Sequence, residues 1–365
     1  MKRISIYTLG GIQSAAFRYR FYHIFQKINC HATYNKALSD KQYEKYMPIS
    51  ERNNLIKAYC FFVLYFRNLF FLCRDCFVLP HVVVISRSLL KRFMPHVYKI
   101  ILLYLKKQGC IIIWDFDDDI IELKELRPKD LRFLSDISDH IVLASSYLKN
   151  IVDPRYYSKI NIVPTTDGSM YPKFTETITS NRLDTYQKEV RLLWVGTSSG
   201  LQYLEQISPL IDKASKVLSK NEKKVILTVV CNRPLVYSFK NIVLNNLLWT
   251  ADVAESEFFK SHIGLMPIDN SKYSIGKGGF KLIQYMSVGL PSLASSVGIN
   301  KEILSHGGGY LLDSLSSEEW CNRLVVLGDN VELWKTLSQK ALLTYSQSYN
   351  LESNLESWKK MVSCG

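Results

Sequence analysis

The sequence predicts an α/β protein made of two doubly wound, Rossmann-like parallel-sheet domains. Three observations carry the prediction. The chain has 365 residues, more than one hydrophobic core ordinarily serves. Short apolar runs alternate with helix-length amphipathic segments, the rhythm of strands buried on both faces. The rhythm stops in a polar, threonine-rich stretch, FTETITSNRLDTYQK (174–188), and then restarts. That stretch reads as a linker. It places an N-terminal domain at 1–180 and a C-terminal domain at 189–345, with 346–365 as a C-terminal helix packing back across the domains.

The elements follow in order. RISIYTLGG is a strand ending at Gly10 and Gly11, and IQSAAFRYRFYHIFQKI is the helix after it. FVLPHVVVISRSLL holds a buried strand with a polar end. MPHVYKIILLYLKKQG is a helix closed by Gly109, and CIIIWDFDDDI is an apolar strand running into acids. HIVLASSYL and INIVPTT supply two shorter strands. After the linker, VRLLWVGTSSG is a strand into a glycine loop and LQYLEQISPLIDKASKVL a helix; VILTVVC, HIGLMPI and LPSLASS are further strands. The last helix, YSQSYNLESNLESWKKMV, sets Leu351, Leu355, Trp358 and Met361 on one side for packing. The strand ends of the two domains are expected to face a central cleft, where ligands bind in such folds.

The formal net charge is +13. Residues 1–110 hold 18 Lys and Arg against 4 Asp and Glu, and the remainder is close to neutral. A basic first third points to an anionic partner, or to a clustered solubility charge. No helix-turn-helix, zinc-finger or RNA-binding pattern accompanies it, which argues against nucleic acid. The eight cysteines, Cys30, Cys60, Cys73, Cys76, Cys110, Cys231, Cys321 and Cys364, follow no framework spacing. They fit a reducing cytosol, and the lone pair Cys73 and Cys76 reads as buried thiols rather than a metal site. The opening MKRISIYTLGG is a strand into a turn, not a signal peptide. AYCFFVLYFRNLFFLCRDCFVL (58–79) is interrupted by Arg67 and Asn68. It is read as a buried core helix or as a helix whose aromatic face touches a bilayer.

The stretch with most chemistry is GKGGFKLIQYMSVGLPSLASSVGINKEIL (276–304). Gly276, Gly278 and Gly279 let backbone N–H groups approach a ligand before a helix start, and Lys277 and Lys281 make that start an anion site. Lys281 and Gln284 lie three apart and share a face, so a cation for phosphate stands beside an amide for vicinal hydroxyls. The competing reading is a glycine-capped loop with a solvated lysine. A second anion site is the loop from Gly196 to Gly200, with Thr197 and Ser198. The acid run DFDDD (115–119) invites a metal reading, but hard cations need ligands converging from a shaped loop, and a bare run does not supply them. The competing account is a helix start favoured by acids.

GGFKLIQYMSVGLPSLASSVGINKEI, followed by GGGYLL, resembles the donor-binding signature of retaining glycosyltransferases of the GT-B fold, family 4. Gly276 stands where that signature has its first Glu, and Gln284 where it has the second; KLIQY is closer to a Lys-x-x-Glu-Tyr form. GGIQSAAFRYRFY, VVVISRSLL, IIIWDFDDDII, SDHIVLASSYL and NIVPTTDGSMY resemble the N-terminal half of enzymes of the bacterial surface-polysaccharide type. The likeness thus covers nearly the whole chain. It implies a GT-B fold and transfer of a sugar, with retention, from a nucleotide diphosphate to a hydroxyl of a lipid-linked saccharide, in O-antigen, capsule or exopolysaccharide assembly. Donor contacts are implied for Gly10, Gly11, Gly196, Thr197, Ser198, Pro267, Lys277, Gly278, Gly279, Phe280, Lys281 and Gln284, with Lys281 on the diphosphate and Gln284 on the ribose. Pro267 and Asp269 border the sugar. Asp117 or Asp118 takes the place of a histidine that the family carries near the reacting sugar, so Asp117, Asp118 and Lys281 are the expected catalytic groups. Ser14, Arg18 and Arg20 flank the acceptor, or the two arginines form a solvated helix face. The expected partners are a nucleotide-diphosphate sugar, a saccharide acceptor and an anionic inner-membrane surface. No metal or cofactor is implied, and the expected location is cytoplasmic, on the inner face of the plasma membrane. A sugar-nucleotide epimerase of the same fold and a non-catalytic sugar-nucleotide-binding scaffold are the rival readings.

Overall fold

A computed structural model of the chain describes residues 1–363. It divides into two compact units, one formed by residues 1–165, 276–278 and the chain from Leu351 on, the other by residues 166–275 and 279–350.

The first unit is built on β1 (Arg3–Thr8), β2 (His31–Lys36), β3 (Val82–Ser86), β4 (Ile111–Phe116), β5 (His140–Leu143) and β6 (Ile160–Ile162). All pair in parallel, in the order β2-β1-β3-β4-β5-β6. Alternate residues of the central strands serve two cores, because successive side chains of a strand point to opposite faces. Val83, Ile85, Ile112 and Trp114 pack under α1 (Asn54–Val78), α2 (His96–Lys107) and α3 (Pro128–Ile137). Ile4, Ile6, Val82 and Val84 face Phe21, Ile24 and Trp358 on the other side. Trp358 comes from the C-terminal helix Leu351–Ser363, whose ring meets Phe25 edge-on at 5.2 Å and whose Asn354 donates to the Pro164 carbonyl. The apolar side read from the sequence is therefore the side that packs, and it packs on the first unit.

Helix α1 departs from the buried-core expectation. One stripe, Cys60, Leu64, Asn68, Leu72 and Asp75, is buried, and the opposite stripe is exposed. The polar members fasten the helix: Asn68 donates to the Leu89 carbonyl, and Asp75 accepts from the hydroxyls of Ser5 and Tyr7 on β1. Cys73 is exposed and Cys76 half-buried, so the reading of both as buried thiols fails: residue 73 falls on the outer face of the helix. Cys364 lies outside the described residues.

The second unit repeats the plan with β7 (Glu189–Val195), β8 (Lys224–Cys231), β9 (Ile242–Leu248), β10 (Ile263–Met266), β11 (Ser292–Ser295) and β12 (Gly309–Leu312), all parallel, in the order β12-β11-β10-β7-β8-β9. Leu192 and Trp194 point to one core and Leu193 and Val195 to the other.

The stretch expected as a linker is ordered. Residues 176–186 form α4 (Glu176–Tyr186), with Arg182 and Tyr186 buried. Arg182 donates to the carbonyls of Phe258 and Phe259, at the end of α5 (Ala251–Lys260), and to that of Val288, just past α6 (Phe280–Ser287). A guanidinium here satisfies carbonyls that two helix C-termini leave without intrahelical partners. Two widely spaced buried residues among polar ones look like a linker in sequence, yet they are enough to dock a helix.

Candidate functional site

In each sheet the chain moves first to one side of the opening strand and then to the other. Ligands of open α/β sheets bind outside the strand C-termini at such a switch point. In the first unit this point lies between β1 and β3, and a cavity of about 310 Å³ opens there. Its walls include Ser14 after β1, Tyr43 and Met47, Arg87 and Lys91 after β3, and Asp117, Asp118 and Glu125 after β4.

Arg87 is the centre of this cavity. β3 and β4 run in register with Ser86 opposite Asp115, so the residues following each emerge side by side. The Arg87 N–H donates to the Asp115 carbonyl, and its own carbonyl accepts from Trp114 Nε1 at 2.8 Å. Its Nε donates to Asp117 at 2.7 Å, and its Nη2 to Asp118. Glu125 lies 3.5 Å from the guanidinium and takes a second cation, Lys91, at 2.8 Å. Arg87 holds a left-handed backbone, φ 55°, which a non-glycine side chain adopts at a cost and which clusters at functional positions.

The two aspartates differ in their hold on a proton. Burial raises both, but for Asp117 the charges of Arg87 and Arg20 win and keep it below the usual carboxylate range. For Asp118, burial and the neighbouring charge of Asp117 outweigh Arg87 and lift it above that range. Two carboxyls driven apart in this way can divide a charge-holding and a proton-holding role.

The acid run does not converge on one point. Asp115 is buried against Arg20, Asp117 and Asp118 grip Arg87, and Asp119 accepts the backbone N–H groups of Ile121 and Glu122. Among the described residues no three His, Cys, Asp or Glu side chains gather as a metal would require.

Ser14 lines the cavity, whereas Arg18 and Arg20 are not among its walls. Both arginines are buried, so the solvated-face reading does not hold. They sit on a turn widened so that the His23 N–H reaches back five residues, to Arg18. Arg18 Nε donates to the Ile12 carbonyl; Arg20 binds Asp115, the Val163 carbonyl and the Thr165 hydroxyl. Gly10 lies against the Tyr43 ring and Gly11 against the Asp40 carboxylate.

The second unit has its switch point between β7 and β10. Here Trp194, fully buried, forms a floor on which the loop after β7 rests. The Lys281 ammonium lies 4.3 Å from the Trp194 ring centroid, a cation–π distance. A Cβ built on Gly196 would stand 2.7 Å from Lys281 Nζ and 2.9 Å from the Trp194 ring, so only glycine lets lysine, loop and indole meet. The loop leads into the helix Leu201–Leu218, whose first turn carries no acid. An ammonium beside an unneutralised helix start is an anion site.

Helix α6 delivers Lys281. Gly279 caps it at φ 68°, and a side chain there would strike Ile303. The Tyr285 hydroxyl donates to the carbonyls of Leu193 and Leu265, bolting the helix to β7 and β10. Gln284 is buried, and its amide nitrogen donates to Asp167 at 3.0 Å. The Ser198 N–H donates to Asn232 Oδ1 at 2.9 Å, and the hydroxyls of Thr197 and Ser199 lie 3.0 Å apart. Pro267 is buried and Phe280 half-buried, and Asp269 accepts from Ser271 and Ser274. Lys277 and Gly278 group with the first unit, Gly278 against the Asp117 carbonyl, while Lys281 groups with the second.

Arg87, Trp194, Asn232 and Asp167 were not singled out from the sequence. The signals were an arginine directly after a buried strand, VVVISR, and a bulky ring just before a glycine loop, LLWVG.

No family model and no curated protein matches this chain in sequence. Solved structures match it over its whole length. Sucrose-phosphate synthase from Thermosynechococcus elongatus has 11% identity over 100% of this chain and 98% of its own, with a TM-score of 0.65. An α,α-trehalose-phosphate synthase (UDP-forming) from Burkholderia xenovorans, in complex with glucose-6-phosphate, has 10% identity over 99% of this chain and 100% of its own, at 0.63. Anabaena HepE in complex with UDP has 11% identity over 100% of both chains, also at 0.63. At such identities the likeness speaks for the fold: two Rossmann-like parallel-sheet units of the GT-B kind.

Proposed function

We propose that the protein is a glycosyltransferase that takes a sugar from a nucleotide diphosphate and passes it, with retention, to a hydroxyl of a saccharide acceptor. The observation that carries this reading is Lys281, held by Trp194 against the Gly196 loop at a helix start. Such a site suits a diphosphate leaving group, whose charge grows as the glycosidic bond breaks. We assign that neutralising role to Lys281 and the helix N-terminus, without a metal or other cofactor. Two solved neighbours bear on the substrate class: one is named as UDP-forming and another was solved with UDP.

In this reading the first-unit cavity takes the acceptor. Asp117, kept ionised by Arg87, receives a hydrogen bond from the attacking hydroxyl, and Asp118 is the member of the pair whose pKa is raised, by burial and the neighbouring charge of Asp117. Ser14 orients the acceptor. The acceptor is a lipid-linked saccharide of surface-polysaccharide assembly, met at the cytoplasmic face of an anionic membrane; the excess of basic residues in 1–110 supports that placement.

The test is release of nucleoside diphosphate from UDP-, GDP-, CDP- and dTDP-sugars, with and without lipid-linked saccharide. Release from one base class, accelerated by an acceptor and reduced about a hundredfold in Asp117→Asn, is the expected result. A folded protein that binds a nucleotide but releases nothing with any sugar or acceptor points to the binding scaffold instead.

A further inference from the structure

The exposed side of α1 is as apolar as its buried side. Leu55, Tyr59, Phe62, Phe66 and Phe70 recur every three or four residues, and Phe77 follows seven on, the period of one helix face. They lie opposite the buried stripe from Cys60 to Asp75. Phe62, Phe66 and Phe70 are 57, 60 and 66% exposed. At 1.5 Å per residue the stripe is about 33 Å long. Helix α2 packs beside α1 on the same face of the sheet, with Tyr65 and Tyr98 stacked between them, and it turns Val97, Ile100 and Leu103 outward. A contiguous apolar surface of this extent is uncommon on a protein with nothing to cover it.

The charge around it selects the occupant. The two helices carry six cations, Lys57, Arg67, Arg74, Lys99, Lys106 and Lys107, and one acid, Asp75, which is buried. Asp130 and Asp139, from neighbouring elements, answer Lys99 and Lys106. Arg74 pairs with Asp75, and Lys57, though exposed, continues the line of the buried stripe; Lys107 is exposed on the outward side of α2. A second copy of the chain would set these cations against themselves, whereas an anionic lipid surface offers both hydrocarbon for the phenylalanines and headgroups for the lysines.

The helix lies on such a surface rather than crossing it. By length and composition it is able to span a membrane, but Asn68 and Asp75 are hydrogen-bonded within the fold. Pulling the helix away would strand those buried polar groups.

We propose that the outer face of α1 and α2 docks the protein onto membranes bearing anionic headgroups, with Phe62, Phe66 and Phe70 inserted and Lys107 on the phosphates. This surface is separate from the donor and acceptor sites, and the proposal stands or falls without them.

Flotation with vesicles of phosphatidylcholine, alone or mixed with phosphatidylglycerol, tests it in the absence of any sugar donor. The full chain is expected to float with the mixed vesicles at least about tenfold more than with phosphatidylcholine alone, and less as salt rises. The triple variant Phe62→Ser, Phe66→Ser, Phe70→Ser is expected to lose flotation while keeping its circular dichroism and its nucleotide binding. The single variant Phe66→Asp serves if the triple does not fold. Lys107→Glu is expected to weaken the preference for phosphatidylglycerol. Absence of flotation with either vesicle overturns the proposal, as does equal flotation of wild type and Phe66→Asp. A wild-type dimer that fails to float, and that the serine variant turns into monomer, assigns the face to a second copy instead. Loss of flotation with nucleotide binding intact separates this surface from the transfer site.

Discussion

At the scale of single residues, three contacts decide what the site can hold. Lys281 is useful because Trp194 and Gly196 together leave its ammonium one place to sit. Gly196→Val therefore acts as a lysine-displacing change: it is expected to weaken nucleotide binding about as much as Lys281→Ala, although it removes no charge. Gln284 is committed on its nitrogen side to Asp167. Gln284→Ala is accordingly expected to free a buried carboxylate and lower thermal stability by about 1–3 kcal/mol, measured by denaturant unfolding. Arg87 has the same standing in the first unit. Arg87→Met leaves Asp117 and Asp118 beside Glu125 without the cation the two aspartates share, and neighbouring like charges hold protons more tightly. The expected result is an acid limb of the pH–rate profile moved to higher pH, with KM for the donor little changed. The sequence placed the right residue types, aspartates after one strand and a lysine on one helix, but their partners come from positions far apart in the chain.

At the scale of elements, the buried polar residues show why parts of the fold were hard to read. The central strands are unbroken apolar runs and are legible for that reason. β2 and β9 sit at sheet edges and have mostly half-exposed or exposed residues, so HATYNK and IVLNNLL lack that signature. Helix α4 was hidden in the same way, since only Arg182 and Tyr186 anchor it. Arg182 has three carbonyl partners, and burial draws its pKa down to about 9. Arg182→Met is expected to cost about 3 kcal/mol by leaving the ends of α5 and α6 with buried, unpaired carbonyls. His262 gives the second unit a pH dependence. It is buried, accepts the Arg191 N–H at Nδ1, and meets the Arg182 carbonyl and Thr185 hydroxyl at Nε2. Burial depresses its pKa from 6.5 to about 3. The folded state thus favours the neutral ring. Its contribution to stability is complete above about pH 6.5 and falls away as the pH drops towards 3, because only the unfolded chain takes up the proton in that window. Melting temperatures between pH 7 and 5 are expected to fall more steeply for wild type than for His262→Asn.

At the scale of the whole molecule, composition was informative about architecture and about surface but silent about partners within the site. Two domains, the parallel sheets and the basic first third were all visible in residue patterns. For α1 the sequence left two readings open, a core helix or one with an outward aromatic face, because a helix apolar on both sides does not say which side its neighbours cover. The account rests on the claim that the second unit binds a nucleoside diphosphate through Lys281 at the helix start after β7. Calorimetric titration of UDP, GDP, CDP and dTDP into wild type, Lys281→Ala and Gly196→Val tests it most directly. The account predicts binding of at least one of the four to wild type and a loss of tenfold to a hundredfold in both variants, about 1.4–2.7 kcal/mol. Equal affinity in all three folded proteins, or no binding by wild type, would contradict it.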